Sequence, residues 1–153
     1  MGKFFKVLGI LSGILILFMG ISAGWAFFSV RGLDEESKNW VVTSVKPVLE
    51  SWSADKLVQL SSIELITVAP KEKIEELMKV LSEKLGKFES LGEPKGEAHV
   101  DVNNLQKTIT AQYDIPVKFS GGDGKLVIHA IKKDEGWQFL QFHIDSNALF
   151  GLK

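Results

Sequence analysis

The side chains that could carry acid–base chemistry stand in the C-terminal half of this 153-residue chain. A general acid or base in a dry pocket is usually a histidine, a carboxylate or a tyrosine, so Tyr113, His129 and His143 are the candidates. Tyr113 lies on the apolar side of an alternating run, and we expect its hydroxyl to point inward. A tyrosine that only anchors the core fits the same pattern. We therefore expect a non-enzymatic protein and keep the three residues as catalytic candidates.

Metal and cofactor chemistry has little support in the sequence. The chain has no cysteine, which excludes disulfides, zinc fingers and a cysteine nucleophile. A metal site needs three convergent ligands, and the loop from Lys132 to Gly136 leaves open whether His129 and His143 approach each other. Gly121 to Lys125 resembles a phosphate loop, but it lacks the following Ser or Thr and leads into a strand. We expect no metal and no cofactor.

Six polar side chains are spaced so that they share one face of a predicted sheet. They are His99, Asp101, Thr110, Gln112, Asp114 and Lys118. Such a face is either simply hydrated or docks a partner. Simple hydration is the commoner outcome, and docking is the functional interpretation, because a domain without a nucleophile or a metal site acts by contact. Nucleic acid is not expected as the partner, since 18 Lys and Arg against 19 Asp and Glu form no basic footprint.

The N-terminal segment indicates a membrane location. Residues 7–30 contain no ionisable side chain, and 24 residues of helix would cross a hydrocarbon core of roughly 30 Å. A cleaved signal peptide is the alternative, but apolar residues continue beyond the usual length of a signal core. We predict a retained transmembrane helix at 7–30. Lys3 and Lys6 place residues 1–6 in the cytoplasm and residues 31–153 in the periplasm of a bacterial type of cell, with the chain single-pass in the inner membrane.

Glycines in this segment fall on one side of the predicted helix. Gly9, Gly13, Gly20 and Gly24 lie within roughly 60° of one another at about 100° per residue. Small residues at this spacing let a second helix approach closely. We expect the partner to be a helix of a membrane complex subunit or a second copy of the chain. The alternative is that glycine is simply frequent in membrane helices.

Three helices are predicted after this segment. The first spans 34–52 with an apolar face, and Pro47 should kink or divide it near Ser44. A short second helix follows Ser53 as its N-cap. The clearest helix follows Pro70 and ends at Gly86, with Leu77 among its inward residues.

From Lys87 onward the pattern changes to the alternation of strands. Val100 and Val102 are inward residues of the first of four predicted strands, and short turns join each strand to the next. Helices followed by such a meander predict an α+β layer, in which the helices pack on one face of a four-stranded antiparallel sheet.

Several short phrases resemble the nuclear-transport-factor-2-like (cystatin-like cone) superfamily over residues 34 to 146. They are Glu50-Ser51-Trp52-Ser53, Gln112-Tyr113, Val117-Lys118-Phe119 and the closing Gly136-Trp137-Gln138-Phe139 to His143-Ile144-Asp145-Ser146. The resemblance implies helices packed on a curved sheet. The superfamily includes enzymes, ligand-binding proteins and single-anchor membrane proteins whose cone domain serves complex assembly. The layout of this chain is similar to the last group, which favours an assembly module. The alternatives are a tethered binder of a small apolar ligand and, with less support, an isomerase-like or dehydratase-like enzyme that uses Tyr113.

Overall fold

The computed structural model describes residues 31–151. The chain divides into two compact units, Met1–Leu33 and Asp34–Lys153, and the sheet and its core belong to the second. The elements, in chain order, are helix α1 (31–51), α2 (Ala54–Leu60), α3 (Ile63–Val68), α4 (Lys71–Leu85), strands β1 (Phe88–Leu91), β2 (Lys95–Asn103), β3 (Gln106–Phe119), β4 (Gly122–Lys133), β5 (Gly136–Asp145) and a 3-10 turn (Asn147–Phe150).

Helix α1 continues without interruption through Pro47, so the predicted division of this helix is wrong. Val45 and Val48 on either side of the proline are fully buried, and their packing offsets the backbone hydrogen bond that proline cannot donate. The carbonyl oxygen of Pro47 accepts hydrogen bonds from the Ser51 hydroxyl at 2.6 Å and from Lys56 Nζ at 3.5 Å. The proline is thus accommodated inside a single helix.

Capping residues mark the start of α2 and the end of α4. The Ser53 hydroxyl accepts from the Lys56 amide, which confirms Ser53 as the N-cap of α2. Helix α4 ends at Gly86, whose φ of 75° suits glycine. Helix α3 was not predicted. Leu77 is 46% exposed, so its predicted inward position is also wrong.

The sheet is antiparallel and follows the order β1-β3-β4-β5, with β2 also paired to β3. Strands β1 and β2 lie end to end along one edge of β3, because β1 pairs with Val117–Phe119 and β2 with Gln106–Asp114. Pro94, which has no amide hydrogen, lies between the two strands. The Gly92 amide donates to the Pro116 carbonyl at 2.6 Å and holds the connection against β3.

The core lies between the helices and one face of the sheet, which we call the concave face. Alternate residues of β3, β4 and β5 point into the core, and Tyr113, Ile115, Ile128 and Phe139 are at most 1% exposed. The rings of Trp40 on α1 and Phe139 are 4.7 Å apart between centroids. The opposite face of the sheet carries the polar members of the same alternation.

The structure shows an α+β chain with a curved antiparallel sheet. The expected fold class is nevertheless wrong in two respects. The sheet has five strands in place of four, because the predicted alternation missed β1. No transmembrane helix is seen: within residues 31–151 no helix is both long and apolar enough to cross a bilayer. The segment predicted for that role, residues 7–30 with Gly9, Gly13, Gly20 and Gly24, lies outside the described residues.

Candidate functional site

The six polar residues singled out from the sequence lie on the face of the sheet opposite the helices. His99 pairs with Thr110 across β2 and β3, while Gln112 and Asp114 pair with residues of both neighbouring strands. Gln112, His99 and Lys118 are exposed, and Thr110 and Asp114 are half-buried. We call this surface the outer face; it comprises Glu97, His99, Asp101, Thr110, Gln112, Asp114, Lys118, His129, Gln141 and His143.

The outer face also contains residues that the sequence did not assign to it. One row runs across four strands through Glu97, Gln112, His129 and Gln141, as the strand register shows. His143 pairs with Val127, which makes it a diagonal neighbour of His129, at roughly 7 Å between Cα atoms. The register that the sequence left open therefore brings all three histidines of the chain to one face.

A shallow concavity of about 290 Å³ opens at the β2 side of the outer face. Its lining residues are Lys95, Gly96, Glu97, His99, Gln112 and Asp114. Donors and acceptors lie close together at its rim: Lys125 Nζ lies 3.4 Å from Asp114 Oδ2, and His99 Nε2 lies 3.8 Å from Glu97 Oε1. An amide, an imidazole and carboxylates together offer both donors and acceptors of hydrogen bonds. This chemistry suits recognition of a polar protein surface better than recognition of a ligand with one fixed charge.

Gly96 gives the concavity its floor. Its φ is 150°, and a Cβ atom built there would overlap the carbonyl oxygen of Gln112 on β3. Glycine is therefore required for the close approach of the two strands.

Tyr113 points into the core, and its hydroxyl is occupied by structural hydrogen bonds. The hydroxyl oxygen lies 2.8 Å from the Ser37 hydroxyl and donates to the Asp34 carbonyl at 3.2 Å. Burial raises the pKa of the phenol, an effect only partly opposed by the bond to Ser37. The Tyr113 side chain is 1% exposed. A neutral, enclosed phenol joined to α1 anchors this helix.

Other side chains of the same turn of α1 also bind the concave side and edge of the sheet. Asp34 Oδ1 accepts from the Ala98 amide of β2 at 2.6 Å. Glu36 accepts from Lys132 Nζ at 2.6 Å and from the Trp137 indole at 3.0 Å. The hydrogen bond from Lys132 is the largest influence lowering the pKa of the Glu36 carboxyl. The turn of α1 at residues 34–37 is thus tied to β2, β4 and β5.

The catalytic candidates are not brought together. His129 and His143 lie on the outer face, whereas Tyr113 lies on the concave face, so the sheet separates the two kinds of group. Among the residues that the structure describes, no three His, Asp or Glu side chains are grouped to hold a metal ion. Every fully buried side-chain N or O atom in that part of the chain has a hydrogen-bond partner.

Large side chains of the chain itself lie in the core. Tyr113, Phe139, Leu49, Met78 and Leu85 are all less than 2% exposed. Surface concavities of residues 31–151 lie at turns, between helices and on the outer face.

Comparison with known proteins adds no assignment. No protein-family model matches the chain, and neither the curated proteins nor the solved structures contain a match. The resemblance to the nuclear-transport-factor-2-like superfamily therefore stays a prediction that rests on the short phrases of the sequence.

Proposed function

We propose that this chain is a membrane-anchored, non-enzymatic interaction module that docks a subunit of a membrane protein complex through its outer face. The observation that carries the proposal is the outer face itself. Four neighbouring strands present one continuous row of polar side chains, with Gln112 and Gln141 exposed in it. A polar surface with mixed donors and acceptors is typical of interfaces that form between separately folded proteins.

The membrane location is supported by the sequence. Residues 7–30 lack ionisable side chains, and the lysines at 3 and 6 precede them. In this proposal the segment holds the protein at the inner membrane with the domain in the periplasm. The glycines of that segment would pack against a helix of the same complex or against a second copy of the chain.

The alternatives lack a supporting observation. A binder of a small apolar ligand needs an apolar cavity of roughly 300 Å³ or more, and the core residues around Tyr113 are packed against one another. An isomerase-like or dehydratase-like enzyme needs a polar group free to meet substrate, and the Tyr113 hydroxyl is engaged by Ser37 and Asp34.

The test compares two glutamine-to-arginine variants of the full chain. Gln112→Arg places a long cation at the centre of the outer face, whereas Gln59→Arg makes the same change at an exposed position of α2. Each protein is extracted from its native membrane in mild detergent, and the mass and composition of the particle are measured. We expect a defined larger complex for the unaltered chain and for Gln59→Arg, and a loss of that complex for Gln112→Arg.

Two results would contradict the proposal. If the unaltered chain emerges alone or as a simple homodimer, it is not a subunit-docking module. If Gln112→Arg retains the complex as fully as Gln59→Arg does, docking does not use the outer face.

A further inference from the structure

The hairpin formed by β2 and β3 projects beyond the core and exposes apolar side chains at its end. Residues 99–108 are all exposed. Leu105 in the turn is 99% exposed, Val102 is 66% exposed and Val100 is 36% exposed. Burial was predicted for Val100 and Val102, and that prediction is wrong because no described residue covers this end of the concave face. We call Val100, Val102 and Leu105 the hairpin tip.

The turn at the hairpin tip uses a residue that the backbone disfavours. Asn104 and Leu105 have φ values of 48° and 67°, which is the type of two-residue turn that prefers Asn followed by Gly. Asn tolerates this conformation. A leucine in the same conformation is sterically unfavourable, and its whole side chain is exposed to water. A residue that is unfavourable for local folding on two counts suggests a role outside the fold.

The chain enters the domain at the same end as the hairpin tip. Asp34 binds the Ala98 amide, while Trp52 at the far end of α1 stacks on Phe119 with ring centroids 5.4 Å apart. Because β3 runs from the hairpin towards Phe119, α1 runs away from the hairpin. Leu105 lies seven residues beyond Ala98 in the chain, so the tip extends roughly 20 Å past the Asp34 contact.

The apolar segment 7–30 ends four residues before Asp34 in the sequence, so the chain that enters the domain beside Ala98 comes directly from that segment. We propose that the hairpin tip is a second membrane contact, which inserts into the interfacial layer of the bilayer that holds residues 7–30. The inference rests on the proposed membrane anchoring and adds a named contact site.

The depth of the contact follows from the backbone. The pairing of Asn103 with Gln106 closes the turn and leaves the amide and carbonyl groups of Val100 and Val102 on the open edge of β2. Such groups cannot enter hydrocarbon without hydrogen-bond partners, but the headgroup region supplies them. Lys107 pairs with Val102 and is exposed, which places a cation where lipid phosphates lie.

A second copy of the chain fits this surface less well. Pairing of two β2 edges would need the Ala98 amide, which already donates to Asp34. Leu105 lies in the turn and would remain outside such a paired edge. A lipid surface accommodates all three apolar side chains at once.

The absence of cysteine allows a direct test with the full chain. Leu105→Cys is labelled with an environment-sensitive nitrobenzoxadiazole dye and reconstituted into vesicles of equal parts phosphatidylcholine and phosphatidylglycerol. Phe150→Cys is the matched control, because Phe150 is an apolar residue 74% exposed in the 3-10 turn. That turn lies at the other end of the sheet, where Lys84 Nζ donates to the Leu149 carbonyl. Emission is compared with and without brominated acyl chains in the lipid.

Contact with lipid should roughly halve the emission from position 105, since interfacial side chains lie within reach of the acyl chains, and should leave position 150 unchanged. Equal, unquenched emission at both positions overturns the inference. A blue-shifted but unquenched signal at 105 also overturns it, because the hairpin tip then packs against protein. Flotation with the vesicles is measured separately: a chain that does not float contradicts the membrane anchoring of the proposed function, whereas one that floats with an unquenched label contradicts only the hairpin contact.

Discussion

At the scale of single residues, Tyr113 decides between a structural and a chemical interpretation of the core. Its hydroxyl, the Ser37 hydroxyl and the Asp34 carbonyl form one buried cluster that joins β3 to α1. Ser37 is itself fully buried and lies 3.2 Å from the same carbonyl. A cluster of this kind stabilises the fold through its hydrogen bonds and has no free group with which to meet a substrate.

Tyr113→Phe should lower the free energy of unfolding by about 1 kcal/mol, the typical net value of a buried hydrogen bond. Urea unfolding of the detergent-solubilised full chain measures the change. Ser37→Ala removes the partner of the same bond, so the double variant should cost less than the sum of the two single variants. Full additivity, or an unchanged stability in Tyr113→Phe, would show that the two hydroxyls are not coupled.

Glu64 provides the clearest dependence on pH. Lys133 Nζ donates to both of its carboxylate oxygens, at 2.6 and 2.9 Å. That bond is the largest cause lowering the pKa of Glu64 to about 2 from an ordinary 4.5. Since the folded pKa lies below the unfolded value, the contribution to stability is complete above about pH 4.5 and is lost as the pH falls towards 2.

Lys133→Met should therefore raise the pKa of Glu64 towards 4.5. Carbon-13 NMR of the labelled glutamate carboxyl groups measures the midpoint of the titration. Lys132→Met is the control: it should raise the pKa of Glu36, which Lys132 binds, and leave that of Glu64 in place. A Glu64 midpoint that does not respond to Lys133→Met would contradict the ion pair.

At the scale of elements, Gly96 determines how closely β2 can approach β3. A side chain there would overlap the Gln112 carbonyl, whereas a Cβ atom at Gly136, which also has a positive φ, would meet nothing within 4 Å. Both positions have a backbone conformation that favours glycine, but only at Gly96 is there no room for a Cβ atom. Comparing them separates the close approach of the strands from the conformational preference of glycine.

Gly136→Ala should cost about 1 kcal/mol of unfolding free energy through backbone strain alone. Gly96→Ala should cost about 1–3 kcal/mol more, because the strands must also move apart. Urea unfolding measures both values, and amide hydrogen exchange at Ala98 reports the loosening of β2. Equal costs for the two variants would mean that β2 can shift without penalty and that the concavity does not depend on Gly96.

Periodicity and capping residues predicted much of this architecture. Ser53 begins α2 and Gly86 ends α4 as expected, since both act within one turn of the backbone. The alternation of β3 also predicted the burial of Tyr113 and the exposure of Gln112. These features depend on residues that are near one another in the sequence.

The features that were missed depend on distant contacts. Strand β1 has only four residues, and its pairing with Val117–Phe119 is set by the connection at Pro94. Val100 and Val102 alternate like buried residues, yet the helices do not extend over them. The diagonal approach of His129 and His143 follows from a register with a bulge between His129 and Ala130. These three outcomes depend on contacts between distant parts of the chain, so neither hydrophobic periodicity nor composition predicts them.

At the scale of the whole molecule, the proposals assign different roles to the two faces and two ends of one sheet. The outer face docks a protein, the concave face holds the helices, and the hairpin tip meets lipid. The β3–β4 turn and the exposed Asp123 at the start of β4 lie at the end of β3 away from the hairpin. Because the proposed anchor is single-pass with its N-terminus in the cytoplasm, this turn should face the periplasm.

Asp123→Cys introduces a single thiol into a chain that has none, which makes the orientation directly measurable. A membrane-impermeant maleimide should label this position in spheroplasts with an intact inner membrane, because the proposed orientation puts the domain on the outer side. A cysteine introduced at Lys3 should react only after the membrane is permeabilised, since the lysines before the apolar segment remain in the cytoplasm. Labelling with the opposite pattern would place the domain in the cytoplasm, and the outer face would then have to dock a cytoplasmic partner.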